Sequence, residues 1–379
     1  MKALQLEKPS GEPKKGARNI AALREVPTAK PASDQVLVKI LAAGFNRRDE
    51  WSMVGAYPGL VYKNATMGCD GAGTIVAPEG FSIPNDHPDG VVLLTPTRGW
   101  ASDKDGPEAE LPGLSDEQRT NGLGGKGFGI LGATAPTNGV GCFAEYVAVE
   151  KDQIVPAPKH LTPEQAATLP CASVTAYRAL FTKAQVCKGQ NLLLTGVGGG
   201  VAMLALQMAV AAGANVYVTG GSPAKIERAV KLGAKAGTEY KDPSWPSKIR
   251  SLLPASRPYL DCVVDSAGGE IAAQAQKAGL KNGGKVVVFG MTAAPKTTFT
   301  MREVLKNVEV LGSTMGSAKE FADSVRFVER HRIVPVVDTV LEGLGQAEKG
   351  FELLAEADKR SGGKVVVRVA ELDGKKSKL

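Results

Sequence analysis

The hydrophobic residues of this chain occur in short runs, and the spacing of these runs changes near residue 160. Before that point, runs rich in Val, Ile and Leu are bounded by Gly or Pro, which is the pattern of short β-strands. The strands are predicted at 36–45, 71–77, 90–96 and 142–149. The segment 97–141 is rich in Gly and polar residues, so we expect an extended surface loop there.

Beyond residue 160, continuous apolar strands alternate with helical segments. A helical stretch is predicted at 161–184, with Thr162 as its capping residue and Pro163 in its first turn. Buried strands are predicted at 191–196, 215–221, 260–269, 285–291 and 308–313. Strands of this kind, separated by helices, predict a parallel, doubly wound α/β sheet. Helices at 318–331 and 345–357 and strands at 333–341 and 363–369 complete the pattern, and the residues from 371 are polar.

Composition excludes several classes of function. The 46 Lys and Arg residues exceed the 39 acidic ones by seven over 379 residues, and only 5% of the residues are aromatic. We therefore expect no nucleic-acid partner, which would require clustered basic residues with interleaved aromatics. No apolar run is long enough to span a membrane. The five cysteines include no CxxC pair, which indicates a reducing compartment and no cysteine-built structural zinc.

A glycine-rich loop joins the strand at 191–196 to the helix that follows it. Glycines allow a tight turn and let a pyrophosphate approach the N–H groups of a helix N-terminus. In this strand–loop–helix context, the loop predicts a dinucleotide site. The residues expected to contact the cofactor are Gly196, Gly199, Gly200 and Val201.

The end of the next strand indicates which dinucleotide is bound. Sites for NAD place an acidic residue there to hold the ribose 2′-hydroxyl. This chain has no acid at that point and instead has Ser222 and Lys225. A hydroxyl and a cation would satisfy a 2′-phosphate, so we expect NADPH as the cofactor.

Several separated segments, in order, resemble the medium-chain dehydrogenases/reductases. They are AAGFNRRDEW (42–51), MGCDGAGTIV (67–76), FAEYVAV (143–149), LPCASVTAYRAL (169–180), LDCVVDSAGG (260–269), GGKVVVFGMT (283–292) and GGKVVV (362–367). The resemblance implies a GroES-like, β-rich catalytic domain (1–172 and 313–379, with a flexible tail from 371) and a Rossmann domain (173–312). It also implies a homodimer, with the active site in the cleft between the two domains.

The resemblance places Asn46, Cys69, Asp70 and Cys171 at the positions that bind or flank catalytic zinc in the zinc alcohol dehydrogenases. An amide at the first ligand position resembles the zinc-free quinone oxidoreductase branch, which reduces quinones or α,β-unsaturated carbonyls with NADPH. We therefore expect NADPH-dependent hydride transfer without zinc. Two alternatives remain: a zinc alcohol dehydrogenase that uses Cys69, Asp70 and Cys171, and a non-catalytic NADPH-binding protein.

The resemblance also implies roles for individual side chains. Catalytic positions would be Asn46, near the nicotinamide or substrate carbonyl, Asp49, which would orient the groups around it, Trp51, in the substrate slot, and Cys69. Further cofactor contacts would be Arg47, Thr175, Tyr240, Gly290, Met291, Thr292 and Lys364, with Arg47 and Lys364 at phosphate groups.

The chain ends in Ser377, Lys378 and Leu379, which match a peroxisomal import signal. Such a signal is recognised by an import receptor at an exposed tail, and the polar run from 371 would provide one. The sequence therefore predicts a location in the peroxisomal matrix.

Overall fold

The structure is a computed structural model that describes residues 1–9, 17–77, 90–109 and 127–372. The predicted import signal at 377–379 lies outside these ranges and stays a prediction, as do the homodimer and the domain boundaries at 172 and 313. None of the helices in the described ranges is long and apolar enough to cross a lipid bilayer.

The strands form two large sheets and two small two-stranded antiparallel sheets. The bounds are β1 (Lys2–Glu7), β2 (Ile20–Glu25), β3 (Gln35–Gly44), β4 (Asp70–Val76), β5 (Val91–Leu94), β6 (Thr97–Arg98), β7 (Gly129–Ile130), β8 (Tyr146–Glu150), β9 (Ile154–Pro156), β10 (Asn191–Val197), β11 (Asn215–Gly220), β12 (Ala236–Glu239), β13 (Leu260–Asp265), β14 (Leu280–Val288), β15 (Glu309–Gly312), β16 (Val337–Glu342) and β17 (Lys364–Arg368). The two-stranded sheets are β1–β2 and β6–β7.

The rest of the regular secondary structure in the described ranges is helical. They span Arg47–Met53, Pro163–Ala166, Leu169–Tyr177, Gly200–Ala211, Pro223–Lys231, Trp245–Leu252, Ile271–Lys277, Met301–Leu305, Ala318–Arg330 and Ala347–Ala355. A π-helical segment, Arg178–Lys183, continues the third of these, and short 3₁₀ turns occur at Ala135–Thr137, Lys151–Gln153, Leu344–Gln346 and Ala357–Lys359.

The seven-stranded sheet brings together three segments that are far apart in sequence. Its order is β16-β17-β3-β4-β5-β9, and β8 also pairs with β3. At one end of the sheet, Gly44 of β3 is paired with both Asp70 of β4 and Val366 of β17. A Cβ at Gly44 would lie 2.5 Å from the carbonyl oxygen of Ala167, so only glycine permits this close approach of the helical segment. The ends of β3, β4 and β17 therefore meet beneath that segment.

The six-stranded sheet is parallel throughout, with the order β12-β11-β10-β13-β14-β15. This is the doubly wound arrangement in which the order reverses between the first and fourth strands, here β10 and β13. Ligands of such sheets bind at the carboxyl ends of the strands beside this reversal. The apolar runs after residue 190 predicted five of these six strands and their parallel pairing, and the structure confirms both; the short strand β12 was not predicted.

Two predictions about local structure need correction. The helical stretch predicted from residue 161 to 184 is interrupted, because Pro170 lies in the first turn of a new helix. The surface loop predicted at 97–141 is only partly correct: residues 101–105 are exposed, but Trp100 is 3% exposed, and the centre of its ring lies 4.5 Å from the guanidinium carbon of Arg178. Arg178 is itself buried and bonded to both carboxylate oxygens of Glu320, so the segment at Trp100 packs on a buried ion pair.

Candidate active site and cofactor site

A buried carboxylate, Asp70, is the centre of the candidate active site. Its Oδ1 accepts a hydrogen bond from the backbone N–H of Cys171 (2.8 Å), and the Cys69 thiol lies 3.5 Å from the same oxygen. Its Oδ2 accepts from Lys364 Nζ (2.8 Å) and from Asn46 Nδ2 (2.9 Å). The carboxylate therefore has four donors around it, contributed by β4, β17, and the starts of the helices Arg47–Met53 and Leu169–Tyr177.

Lys364 brings a positive charge into this buried cluster. Its Nζ also donates to Asn46 Oδ1 at 2.5 Å, and the residue is 6% exposed. Burial alone would lower the pKa of Lys364, but the Asp70 carboxylate raises it above the ordinary lysine value. An ammonium only donates and an ionised carboxylate only accepts, so these two neighbours determine which way the Asn46 amide faces. The cluster thus contains a paired charge and an amide that bridges it.

Two cysteine thiols border the same carboxylate. The sulfurs of Cys69 and Cys171 and an oxygen of Asp70 all lie within 4.8 Å of one another, a spacing that could hold a metal ion. The Cys171 thiol, burial and the Asp70 carboxylate raise the pKa of Cys69 well above the ordinary thiol value. Asn46 Nδ2 also lies 3.3 Å from the Cys69 sulfur and 3.4 Å from the Gly44 carbonyl oxygen, so its two hydrogens are shared among three acceptors. Cys171 also contacts Met315, with 3.5 Å between the two sulfurs.

A second pair of buried, oppositely charged residues, Arg48 and Asp49, lies beside the pair formed by Lys364 and Asp70. Asp49 is fully buried and accepts a hydrogen bond from the backbone N–H of Asn46 at 2.8 Å. Burial raises the pKa of Asp49 to about 6. The Arg48 guanidinium donates to the carbonyl oxygens of Leu131 and Gly132, both at 2.9 Å, and its carbon lies 4.3 Å from the centre of the Tyr57 ring. The sequence prediction included Asp49 but missed Arg48.

Tyr57 was also missed as a site residue. It is half-buried against Arg48, and burial raises its pKa. A sequence signal for Arg48 existed, because four charged residues (47–50) follow Asn46 directly in a segment that is otherwise apolar on its N-terminal side. A run of charges next to a buried strand needs buried partners.

The glycine loop lies next to Lys364. Gly196 and Gly198 have φ values of +65° and +145°, which favour glycine, and Gly199 precedes the helix that starts at Gly200. A Cβ at Gly200 would lie 2.4 Å from Lys364 Cδ, so glycine here lets the lysine chain pass the helix N-terminus on its way to Asp70. Lys364 thereby joins the predicted pyrophosphate loop to the buried cluster. The resemblance assigns Lys364 to a phosphate group, whereas its Nζ here is bonded to Asp70 and Asn46.

The loops that follow β10, β13 and β14 meet at one edge of the parallel sheet. A Cβ at Gly196 would lie 3.0 Å from Ser266 Oγ, and Thr292 donates to the Ser266 carbonyl oxygen from both N–H and Oγ1 at 3.0 Å. Gly290 lies against the same residue, and Met291 is 42% exposed. The structure thus places the predicted contacts of the glycine loop and of 290–292 around one opening.

The remaining predicted residues are more scattered. Ser222 precedes the helix Pro223–Lys231, and a Cβ at the adjacent Gly221 would lie 2.7 Å from Tyr240 Oη. Thr175 Oγ1 donates to the Cys171 carbonyl oxygen (2.7 Å), so its hydroxyl is used within the helix. Arg47 binds Glu50 and the Leu354 carbonyl oxygen.

Trp51 is 41% exposed on the helix Arg47–Met53. It therefore does not pack in the buried cluster, and its predicted place in a substrate slot stays a prediction. Val201, in the first turn of the helix that starts at Gly200, is half-buried.

Comparison with known proteins identifies the family. The model for an alcohol dehydrogenase GroES-like domain matches residues 32–159, and that for a zinc-binding dehydrogenase matches 200–330. A zinc-type alcohol dehydrogenase-like protein of Leptosphaeria maculans is 38% identical over 327 residues, which cover 85% of this chain and 87% of that protein. This chain belongs to the medium-chain dehydrogenase/reductase superfamily. The predicted fold, a GroES-like domain with a Rossmann-type parallel sheet, is thereby confirmed.

This chain is also similar to members of the superfamily with other names and activities. An acryloyl-coenzyme A reductase of Sulfurisphaera tokodaii is 26% identical and covers 94% of this chain and 97% of that protein. The crystal structure of an NAD-dependent alcohol dehydrogenase superimposes with a TM-score of 0.77 at 30% identity, covering 98% of this chain and 100% of the other. The protein is an oxidoreductase of this superfamily, and a nicotinamide cofactor follows from that membership.

The raised pKa of Asp49 predicts a pH dependence of stability. Because the folded state holds this proton more tightly than the unfolded state, stability should fall as pH rises from about 4 to about 6, by roughly 3 kcal/mol, and then level off. Asp49→Asn, which keeps an acceptor but cannot ionise, should remove this part of the pH profile.

Urea unfolding at pH 4.5 and pH 7 would measure the effect, with the exposed Asp105→Asn as a matched control. The same change in unfolding free energy between the two pH values for the Asp49→Asn variant and the unmodified protein would contradict the prediction.

Proposed function

We propose that this protein is a zinc-free, NADPH-dependent reductase that delivers hydride to the electrophilic carbon of an enone, a quinone or a related carbonyl compound. The observation that carries the proposal is the Lys364 ammonium bonded to Asp70 and Asn46 within the buried cluster. In the zinc alcohol dehydrogenases, a metal cation belongs at the matching positions. Here, the side chain of Lys364 supplies the positive charge.

The donor set fits zinc poorly. A carboxylate offers about four acceptor sites, and Asp70 already has four donors within 3.5 Å. The first ligand position carries the amide of Asn46, and zinc sites use thiolate, imidazole or carboxylate. Zinc at either oxygen of Asp70 would therefore have to compete with donors that already occupy it.

The cluster has features suited to reduction of an activated double bond or quinone. When bound, NADPH supplies the hydride, and negative charge then develops on the acceptor oxygen of the substrate. Fixed positive charge in a site shielded from water stabilises such charge strongly. Lys364 and Arg48 are two buried cations on either side of Asn46 and Cys69, and neither requires a bound metal. The relationship to acryloyl-coenzyme A reductases, whose named substrate is an α,β-unsaturated thioester, supports this class of reaction.

An activity panel combined with metal analysis tests the proposal. The protein should oxidise NADPH with enones or quinones, should contain far less than one zinc per chain, and should keep its activity after dialysis against a chelator. Oxidation of alcohols with NAD, together with one zinc per chain, would contradict it. Cofactor binding without turnover on any carbonyl compound would instead indicate a non-catalytic NADPH-binding protein.

The zinc alcohol dehydrogenase remains the second candidate because of one observation, the grouping of Cys69, Asp70 and Cys171 within 4.8 Å. If that candidate is correct, Cys171→Ala should abolish both the zinc content and the activity. In the zinc-free reductase, the same substitution leaves the metal content unchanged.

We further propose a preference for NADP(H) over NAD(H). The strand β11 ends at Gly220, and Gly221 and Ser222 follow, so no carboxylate stands where it would hold a ribose 2′-hydroxyl. Ser222 and Lys225 lie at the start of the next helix, and Lys225 Cδ would be 3.1 Å from a Cβ at Gly198 in the glycine loop. A hydroxyl and an ammonium beside the loop suit a phosphate.

Substitution at Ser222 tests this preference. Ser222→Asp keeps a good helix-capping residue but adds a carboxylate, so it should weaken NADPH binding by about tenfold or more while NADH binding is retained or improved. Aspartate at Gly220 would be a poorer test, because a Cβ there would lie 2.8 Å from Ile226 Cγ1. Lys225→Ala should also weaken NADPH selectively.

Fluorescence titrations with both cofactors at one ionic strength provide the measurement, since salt screens the phosphate interaction. Equal affinities of the unmodified protein for NADH and NADPH would refute the preference.

A further inference from the structure

A basic cavity of about 500 Å³ lies between the part of the molecule built on the six-stranded sheet and the segment that leads into the seven-stranded sheet. One wall is the start of the helix Pro223–Lys231, and the other is the segment 358–361, which leads into β17. Five basic residues and one acidic residue line it: Lys225, Arg228, Lys241, Lys359, Arg360 and Asp358. The cavity therefore suits an anion rather than a neutral or cationic ligand.

The two walls are held together by Arg228. Its Nη1 donates to Ser361 Oγ at 2.9 Å and to the Gly362 carbonyl oxygen at 3.1 Å. Ser361 Oγ in turn donates to Asp338 Oδ1 at 2.7 Å. Gly363 N–H donates to the Gly198 carbonyl oxygen at 3.0 Å, so the same segment also touches the glycine loop. The position of 360–362 relative to the proposed cofactor site is thus set by hydrogen bonds on both sides.

Arg360 has a polar group without a protein partner. Its Nε is buried and makes no hydrogen bond within the described residues. Leaving a buried donor of a charged group unpaired costs more free energy than leaving a neutral donor unpaired. A guanidinium offers its donors in a planar fork that matches phosphate oxygens. The same atom is unpartnered in Arg48 and Arg178, but Arg360 also lines a cavity whose other charged residues are mostly basic, and this combination favours an anionic ligand.

We propose that Arg360 is a specificity-determining residue, which binds the 2′-phosphate of NADPH from the side opposite Ser222 and Lys225. The inference rests on the proposed NADPH-dependent function and extends it, because it assigns part of the cofactor selection to a segment outside the six-stranded sheet. NADH carries a hydroxyl in place of this phosphate and would leave the Arg360 charge without its counterion. The phosphate would thus lie between the two walls of the cavity and contact both.

Binding of adenosine phosphates to the full-length protein tests the inference without turnover. The probes are 2′,5′-ADP, which carries the 2′-phosphate, and 5′-AMP, which lacks it, followed by NADPH and NADH. Arg360→Ala should weaken 2′,5′-ADP and NADPH by about tenfold or more and change 5′-AMP and NADH by less than about twofold. Arg360→Gln, which retains hydrogen-bonding capacity without the charge, should give an intermediate loss. Arg330→Ala, an exposed arginine at the end of another helix, is the matched control and should change nothing.

The outcomes separate this inference from the proposed function. If Lys225→Ala weakens 2′,5′-ADP while Arg360→Ala has no effect, the role of Arg360 is refuted and the NADPH preference stands. An equal loss of affinity for NADH and NADPH in the Arg360→Ala variant would also overturn the inference, since Arg360 would then contact a group common to both cofactors.

Two further results would also count against it. If Arg360→Ala selectively weakens the binding of 3′,5′-ADP, the cavity would instead be assigned to the 3′-phosphate of a coenzyme A substrate. If neither variant has an effect and the unmodified protein binds NADH and NADPH equally, the proposed function fails as well. Melting temperatures of all variants within about 2 °C of the unmodified protein would establish that each one is folded.

Discussion

The geometry of the candidate site depends on the burial of one carboxylate. Moving an ionised carboxylate out of water is costly unless opposite charge and hydrogen bonds replace its hydration. Asp70 is completely buried, and Lys364, Asn46 and the Cys171 backbone satisfy it. These donors come from elements far apart in the chain, so the requirements of one buried charge determine how the ends of two strands and two helices are arranged.

The same interaction connects the catalytic region with the proposed cofactor site. The Lys364 side chain passes close to Gly200, at the N-terminus of the helix that follows the glycine loop, before its ammonium reaches Asp70. A shift of β17 would therefore disturb both the helix N-terminus and the cluster. The residues just before Lys364 also contact the glycine loop and Arg228, so the segment 360–364 is fixed by the same packing.

Much of the fold could be predicted from local sequence, because the strands of the parallel sheet are continuous apolar runs bounded by turns. The helix Arg47–Met53 was missed because its residues are mostly polar and show no apolar periodicity. The burial of Trp100 depends on Arg178 and could not be inferred from a Gly-rich segment alone.

Within the site, the grouping of Asn46, Cys69, Asp70 and Cys171 followed from the family resemblance. The partner of Asp70 did not, because Lys364 is 294 residues away and a lysine in a strand offers no signal of its destination. The contact between Arg48 and Tyr57 was missed because it depends on how a loop packs on a short helix.

The central claim is that Lys364 supplies the cation that Asp70 requires, and a double-mutant cycle tests it directly. Urea unfolding at pH 7 would be measured for the unmodified protein, Lys364→Met, Asp70→Asn and the double variant. Breaking the pair from either side should cost about 3–5 kcal/mol, and the double variant should recover a large part of the loss, because no unpaired charge remains buried. Additive effects of the two substitutions would show that the charges are independent and would contradict the account.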